Sequence, residues 1–136
     1  CWPYLGHNLK TLKKNGVNCV INGYVTAWSV AYEPGDLDGM AKAYQLASTN
    51  SFSTPSIMEK RTKTIKDFGC DGMLCHVNRS CKLMGLLNNE GAEYVNAKMG
   101  VPYVSFDGDQ TDPRVFTPAQ YETRVQALTE MMDENQ

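Results

Sequence analysis

The stretch Asp71–Gly108, DGMLCHVNRSCKLMGLLNNEGAEYVNAKMGVPYVSFDG, decides the fold. Asp71–Val77 is a short run of strand formers, and Val101–Phe106 is another. Between them a helix is expected from Ser80 onward, carrying Leu83, Leu87, Tyr94 and Val95 inward and stopping at Gly100. Strands separated by helices predict a parallel sheet with helices on both of its faces.

The flanking sequence repeats this logic. Leu5, Leu9 and Leu12 share one helical face, and Asn15-Gly16 ends that helix. Val17–Tyr24 reads as a further buried strand that empties into a polar and aromatic stretch through Trp28. Glu33-Pro34-Gly35 turns the chain, and Asp36 is placed to cap a helix whose Leu37, Met40, Ala41, Tyr44 and Ala47 follow the helical period. The polar run Ser48–Ser53 ends it. Thr54-Pro55 then pairs an N-cap with a proline at the first helical position; Ile57, Met58, Ile65 and Phe68 are the apolar side, and Lys60, Arg61, Lys63 and Lys66 the wet one. The last helix opens on a capping box, Thr117 to Gln120, and buries Tyr121, Val125, Leu128 and Met132.

The expectation is one α/β domain over residues 1–136, a three-layer α/β/α sheet of flavodoxin or Rossmann type. Three strands are visible, so residues 1–4 read as the tail of a fourth, and the sheet is expected to lack part of a strand at its amino end. An opening on Cys1 instead of Met makes the chain read as a piece of a longer polypeptide.

Thirteen basic and fifteen acidic side chains leave a formal charge of −2, which gives no general pull toward nucleic acid or anionic lipid. No apolar run reaches the roughly 18 residues of a membrane span, and CWPYLGH is not a signal peptide, so the chain is expected to be soluble and cytoplasmic. The cysteines at 1, 19, 70, 75 and 81 are odd in number and irregular in spacing, which reads as reduced thiols without a zinc motif. No P-loop is present, and no G-x-G-x-x-G follows a strand.

In parallel sheets ligands bind outside the carboxyl ends of the strands. That rule selects Thr26–Gly35, Val77–Lys82 and Asp107–Phe116. Cys81 follows the expected N-cap Ser80, where the helix dipole with Arg79 and Lys82 lowers a thiol pKa. Such a thiolate suits a soft metal, an iron–sulfur cluster, or redox or nucleophilic work; the plain alternative is a small buried residue at a helix start. Cys75 and Cys19 read as small core residues, Cys70 as a loop thiol and Cys1 as a chain-end residue. His76 should face away from Cys75, so the two do not pair as base and nucleophile, and His76 reads as a structural histidine. Asp107, Asp109 and Asp112 could hold a divalent cation, but they lack EF-hand spacing and read more simply as a turn bonding nearby backbone. Tyr24, Trp28 and Tyr32 could line an apolar pocket or simply pack.

VNRSCKLMG and GVPYVSFDGDQTDPRVFTPAQYETRVQAL, with CWPYLGHNLKTLKKNGVN and DLDGMAKAY, resemble the carboxyl-terminal portion of the 2-hydroxyacyl-CoA dehydratase family, relatives of benzoyl-CoA reductase. The likeness covers nearly the whole chain and points to the iron–sulfur subunit of 2-hydroxyglutaryl-CoA or 2-hydroxyisocaproyl-CoA dehydratases. It implies an oxygen-sensitive lyase of anaerobic amino-acid fermentation that converts an (R)-2-hydroxyacyl-CoA into a 2-enoyl-CoA and water through a ketyl radical. It further implies a [4Fe–4S] cluster held by three cysteines, with Cys81 as the last, a related partner subunit in a heterodimer, and an ATP-dependent iron–sulfur activator. The other two cysteines and the groups that handle the hydroxyl proton would lie upstream of Cys1, so these residues alone are expected to be inactive and to bind no cluster. Two other readings stay open: a noncatalytic flavodoxin-like scaffold or electron-transfer subunit, and a thiol redox protein using Cys81.

Overall fold

The computed structural model describes residues 6–23, 30–47, 54–109 and 111–135. The described parts of Cys1–Cys19 and Gly69–Gln136 form one compact unit, and those of Val20–Phe68 form another. In chain order the helices and strands are α1 (Gly6–Lys14), α2 (Leu37–Leu46), α3 (Thr54–Asp67), β1 (Met73–Asn78), α4 (Lys82–Met99), β2 (Tyr103–Gly108) and α5 (Pro118–Glu134), with a 3-10 turn at Pro113–Val115.

β1 and β2 pair in parallel, from Met73 opposite Tyr103 to Asn78 opposite Gly108. Side chains alternate across a strand, so Leu74, His76 and Phe106 share one face, and Cys75, Val77 and Ser105 share the other. The first face meets α1 and α5: Leu12, Tyr121 and Val125 form a buried cluster against which Val17, Leu74, Phe106 and Phe116 pack. Its centre is aromatic, with Tyr121 edge-on to Phe106 at 4.9 Å and 5.6 Å from Phe116. The second face meets α4, where Ser105 Oγ donates to Asn89 Oδ1. The α4 helix also reaches the strand backbone, through the Asn88 side-chain amide on the His76 carbonyl at 3.0 Å. Among the described residues, helices therefore pack on both faces of a two-stranded parallel sheet, consistent with an α/β fold.

The expected strand Val17–Tyr24 is not formed as far as it can be followed. Residues 17–22 make no ladder, Tyr24 lies outside the described residues, and the Val17 N–H turns back to the Leu12 carbonyl at 2.9 Å. Strand propensity is expressed only against a partner edge, and this segment has none among the described residues. Residues 1–4, expected as the tail of a strand, also lie outside them. Gly16 and Gly100 stop α1 and α4 at positive φ, 70° and 73°, as a residue without a Cβ allows.

The expected inward positions divide. Val95, Tyr121, Val125 and Leu128 are buried, whereas Leu83 is 65% exposed and Tyr94 and Leu9 are exposed. Thr117 is the N-cap of α5, but its side chain makes no capping bond, so the expected box is not closed.

In the other unit, Asp36 caps α2 as expected, accepting the Gly39 N–H at 2.8 Å. Leu37, Tyr44 and Phe68 are exposed against expectation, while Ile57 and Met58 are buried. Thr54 is the first residue of α3, not its cap. Lys63 and Lys66 face solvent; Lys60 instead donates to the Leu46 carbonyl. The run expected to end α2, Ser48–Ser53, lies outside the described residues.

Candidate functional site at the strand ends

Beyond Asn78 and Gly108 the two chain segments stay side by side. The Arg79 N–H donates to the Gly108 carbonyl at 3.0 Å, which extends the ladder by one bond. Arg79 Nη2 then reaches Asp107 Oδ2 at 2.8 Å. One residue on, the Ser80 N–H donates to Asp109 Oδ2 at 2.8 Å, and Ser80 Oγ to Asn78 Oδ1 at 3.1 Å. With its donors so engaged, Ser80 belongs to the turn and not to the helix. The N-cap of α4 is Cys81 itself, one position later than the sequence suggests. Its N–H closes a turn onto the Asn78 carbonyl at 3.1 Å, and its own carbonyl takes the Gly85 N–H at 2.9 Å. Its half-buried side chain makes no capping hydrogen bond, which leaves the sulfur available at a helix amino end.

The acidic segment is ordered by its own carboxylates. Asp109 Oδ1 accepts from Thr111 N and Oγ1, both at 2.9 Å, and from Asp112 N at 3.2 Å. The bond from Ser80 and those from Thr111 hold the Asp109 carboxyl well below the usual carboxylate range. Asp112 caps the 3-10 turn and takes Arg114 Nε and Nη2 at 2.8 and 2.7 Å, which lowers its pKa as well. All three carboxylates thus have partners inside the chain, the arrangement of a self-bonded turn and not of an open cation cage.

A cleft of about 340 Å³ opens beside these segments, lined by Val77, Arg79, Asn89, Ser105, Asp107 and Arg124 among others. A second cleft, about 480 Å³, runs along Leu9, Lys13 and Cys19, and none of its lining residues belongs to the strand-end segments.

The structure brings two of the three expected loops together, Val77–Lys82 and Asp107–Phe116. Of Thr26–Gly35, positions 26–29 lie outside the described residues, as do Tyr24 and Trp28. Tyr32 is exposed and sits 6.3 Å from Tyr44, ring to ring. Cys19, Cys70, Cys75 and Cys81 form no disulfide among the described residues, and Cys1 lies outside them. Cys70 is half-buried, and burial, then Asp71 and Cys19, push its thiol up. His76 does face away from Cys75 and packs on Phe106 at 5.2 Å. The partners Asn78, Asn88 and Asn89 were not singled out from sequence; only the Asp-x-Thr pattern at 109–111 carries a local signal of this geometry.

Residues 1–132 match the family described as 2-hydroxyglutaryl-CoA dehydratase, D-component. The chain belongs to that family. The (R)-2-hydroxyisocaproyl-CoA dehydratase alpha subunit of Clostridioides difficile is 47% identical to it over 134 residues, which cover 98% of this chain and 33% of the relative. Lactoyl-CoA dehydratase subunit alpha of Anaerotignum propionicum is 46% identical over 138 residues, covering 98% and 32%. The (R)-2-hydroxyglutaryl-CoA dehydratase subunit alpha of Acidaminococcus fermentans is 44% identical over 135 residues, covering 99% and 28%. The chain spans about a third of the length of these relatives.

Cys81 presents one soft sulfur donor, of the kind iron takes. Among the described residues no three His, Cys, Asp or Glu side chains gather as a metal site. The donors on hand therefore fit an iron site as a single ligand. No helix of the described residues is long and apolar enough to cross a membrane.

Proposed function

We propose that this chain is part of the iron–sulfur subunit of an (R)-2-hydroxyacyl-CoA dehydratase, a lyase that removes water from an (R)-2-hydroxyacyl-CoA to leave a 2-enoyl-CoA. Cys81 contributes one thiolate ligand to a [4Fe–4S] cluster whose other ligands lie outside these residues. The observation that carries this reading is the position of Cys81. In a chain that matches dehydratase alpha subunits over almost its whole length, the cysteine of NRSCK stands at the carboxyl end of β1, at the amino end of α4, with its sulfur uncommitted. A cluster bound there supplies Lewis acidity at an iron with an open coordination position, together with single-electron chemistry.

The residues of this chain hold that ligand in place. Asn78 and Asp109 fix the turn that leads into Cys81, α4 carries its backbone, and the cleft bordered by Arg79, Ser105 and Arg124 offers polar groups to an acyl-CoA. A related partner subunit, an ATP-dependent iron–sulfur activator and a cytoplasmic location belong to the same reading. By itself the chain, with one donor, is inactive.

Iron and acid-labile sulfide in the anaerobically purified full-length subunit, with Cys81 and with Cys81→Ser, test this. The expected result is about four irons per cluster in the wild type and loss, or conversion to a smaller cluster, in the variant. An unchanged cluster in Cys81→Ser overturns the ligand assignment, and a wild type without iron overturns the whole reading.

A further inference from the structure

We propose that Asp109 is a positioning residue for Cys81: its carboxylate, fixed by its own turn, grips the backbone immediately before the cysteine and sets where the sulfur stands. The inference rests on the reading of Cys81 as a cluster ligand. Ser80 is bonded covalently to Cys81, and its N–H ends on Asp109 Oδ2 at 2.8 Å. The other oxygen, Oδ1, is held by Thr111 N, Thr111 Oγ1 and Asp112 N. Three donors on one oxygen leave the carboxylate little freedom to turn, so the second oxygen is presented to Ser80 already oriented. Cys81 itself is caught between the Asn78 carbonyl on its N–H and the Gly85 N–H on its carbonyl. The Ser80 N–H on Asp109 joins the Arg79 N–H on the Gly108 carbonyl in tying the cysteine turn to the β2 segment, and it is the one nearer Cys81, across 29 positions in sequence.

Asp107 does not share this role. It meets the side chain of Arg79, a pair at the surface with a flexible arm on one side, and such pairs transmit little order to the backbone. Asp109 instead holds a backbone amide, so its charge-assisted bond acts on the main chain with no flexible arm between.

The substitution Asp109→Asn discriminates because it is nearly isosteric. An amide oxygen kept at Oδ1 still serves Thr111 and Asp112, but an amide N–H then points at the Ser80 N–H, donor against donor. A flipped amide would restore Ser80 and place the amide NH2 against the Thr111 and Asp112 backbone N–H groups, two obligate donors, which is worse. The cross-segment bond is therefore lost while the local turn survives.

The test uses the full-length subunit with its partner, purified anaerobically, as wild type, Asp109→Asn, Thr111→Ala, Glu122→Gln and Cys81→Ser. In Asp109→Asn, deuterium uptake in the peptide spanning residues 79–85 should rise about tenfold, the factor carried by a hydrogen bond to a charged group. Cluster iron should start near the wild-type content and be lost several-fold faster on exposure to an oxidant, and the electron-spin resonance signature of the reduced cluster should shift. Thr111→Ala removes one of the three donors that orient Asp109, and should move the same readouts in the same direction by less. Glu122→Gln, which removes the Lys14 pair on α5, controls for a general surface loss and should leave iron retention unchanged.

Wild-type iron loss and an unshifted signature in both Asp109→Asn and Thr111→Ala overturn the proposal. If Asp109→Asn does not fold, unchanged iron retention in Thr111→Ala overturns it by itself. A Cys81→Ser variant that keeps its full cluster instead overturns the ligand reading beneath it, so the two failures are distinguishable.

Discussion

A Cβ placed on Gly108 would stand 2.5 Å from His76 Nε2 and 3.0 Å from its Cδ2, closer than such atoms approach in proteins. The imidazole is not free to retreat, because its ring lies against Phe106 in the sheet face that meets α5. Gly108→Ala should therefore cost about 1–3 kcal/mol, the range for overpacking a filled interior. The comparison is Gly72→Ala, where the new atom meets the thioether of Met132 at 2.7 Å, a flexible group that can move aside. Urea denaturation should rank Gly108→Ala as clearly the worse, and His76→Ala should reduce the cost of adding the methyl. Equal costs for Gly108→Ala with and without the imidazole would dissociate the glycine from His76.

The same histidine predicts an acid sensitivity. Burial is the first cause that takes His76 down from 6.5 to about 4, against the opposing pull of Asp109, the Gly108 backbone and Asp107. In the unfolded chain the imidazole protonates near its ordinary value, so the unfolded state binds this proton first as pH falls. The contribution of neutral His76 is complete above about pH 6.5 and is lost as pH drops toward 4. His76→Gln, which carries no titratable group, should show a shallower loss of stability across that window. Parallel pH profiles for the two proteins would show that His76 does not set the slope.

Tyr121 is 1% exposed, and its hydroxyl has no hydrogen-bond partner among the described residues. Burial pushes its pKa up to about 12, so the group stays neutral and the unmet polarity is that of a phenol. Tyr121→Phe removes the hydroxyl and keeps the ring contacts with Phe106 and Phe116. The expected change is neutral to about 1 kcal/mol stabilising, because an unpaired buried polar group costs on that order. A loss above about 1 kcal/mol in calorimetry would mean that the hydroxyl has a partner, such as a bound water.

Two aliphatic positions that the helical period treats alike should separate in experiment. Val125 is fully buried in the cluster with Leu12 and Tyr121, and Val125→Ala should cost about 2 kcal/mol through lost contact and a residual cavity. Leu83, largely exposed in the first turn of α4, should lose less than about 0.5 kcal/mol on truncation to alanine. Similar losses at both sites would show that a partner surface covers Leu83.

These contrasts mark where sequence reading stops. The strands β1 and β2, α5 and the cap at Asp36 were legible because each rests on a local rule: β-formers bounded by turns, a 3.6-residue period, a side chain bonding an amide three positions on. The opposed faces of Cys75 and His76 followed from alternation. What failed depended on neighbours: Val17–Tyr24 needs an edge to pair with, and Leu83 and Tyr94 have the right period but stay exposed. At the site, Cys81 and the acidic turn were legible as residues, and the D-component family match covers both. Their union was not. The bond from Ser80 to Asp109 joins segments with no common local pattern, and it is what moves the cap of α4 from Ser80 to Cys81.

Every rung between β1 and β2 joins residues 30 positions apart, from Met73 with Tyr103 to Asn78 with Gly108. An interval of that length must be closed before the first rung forms, and its entropy is repaid only after both strands are aligned. The α4 helix shortens that search, because once coiled it spans its 18 residues in about 27 Å of rigid length. Pairing of the strands that flank Cys81 is thus a non-local event made shorter by a helix coiled between them.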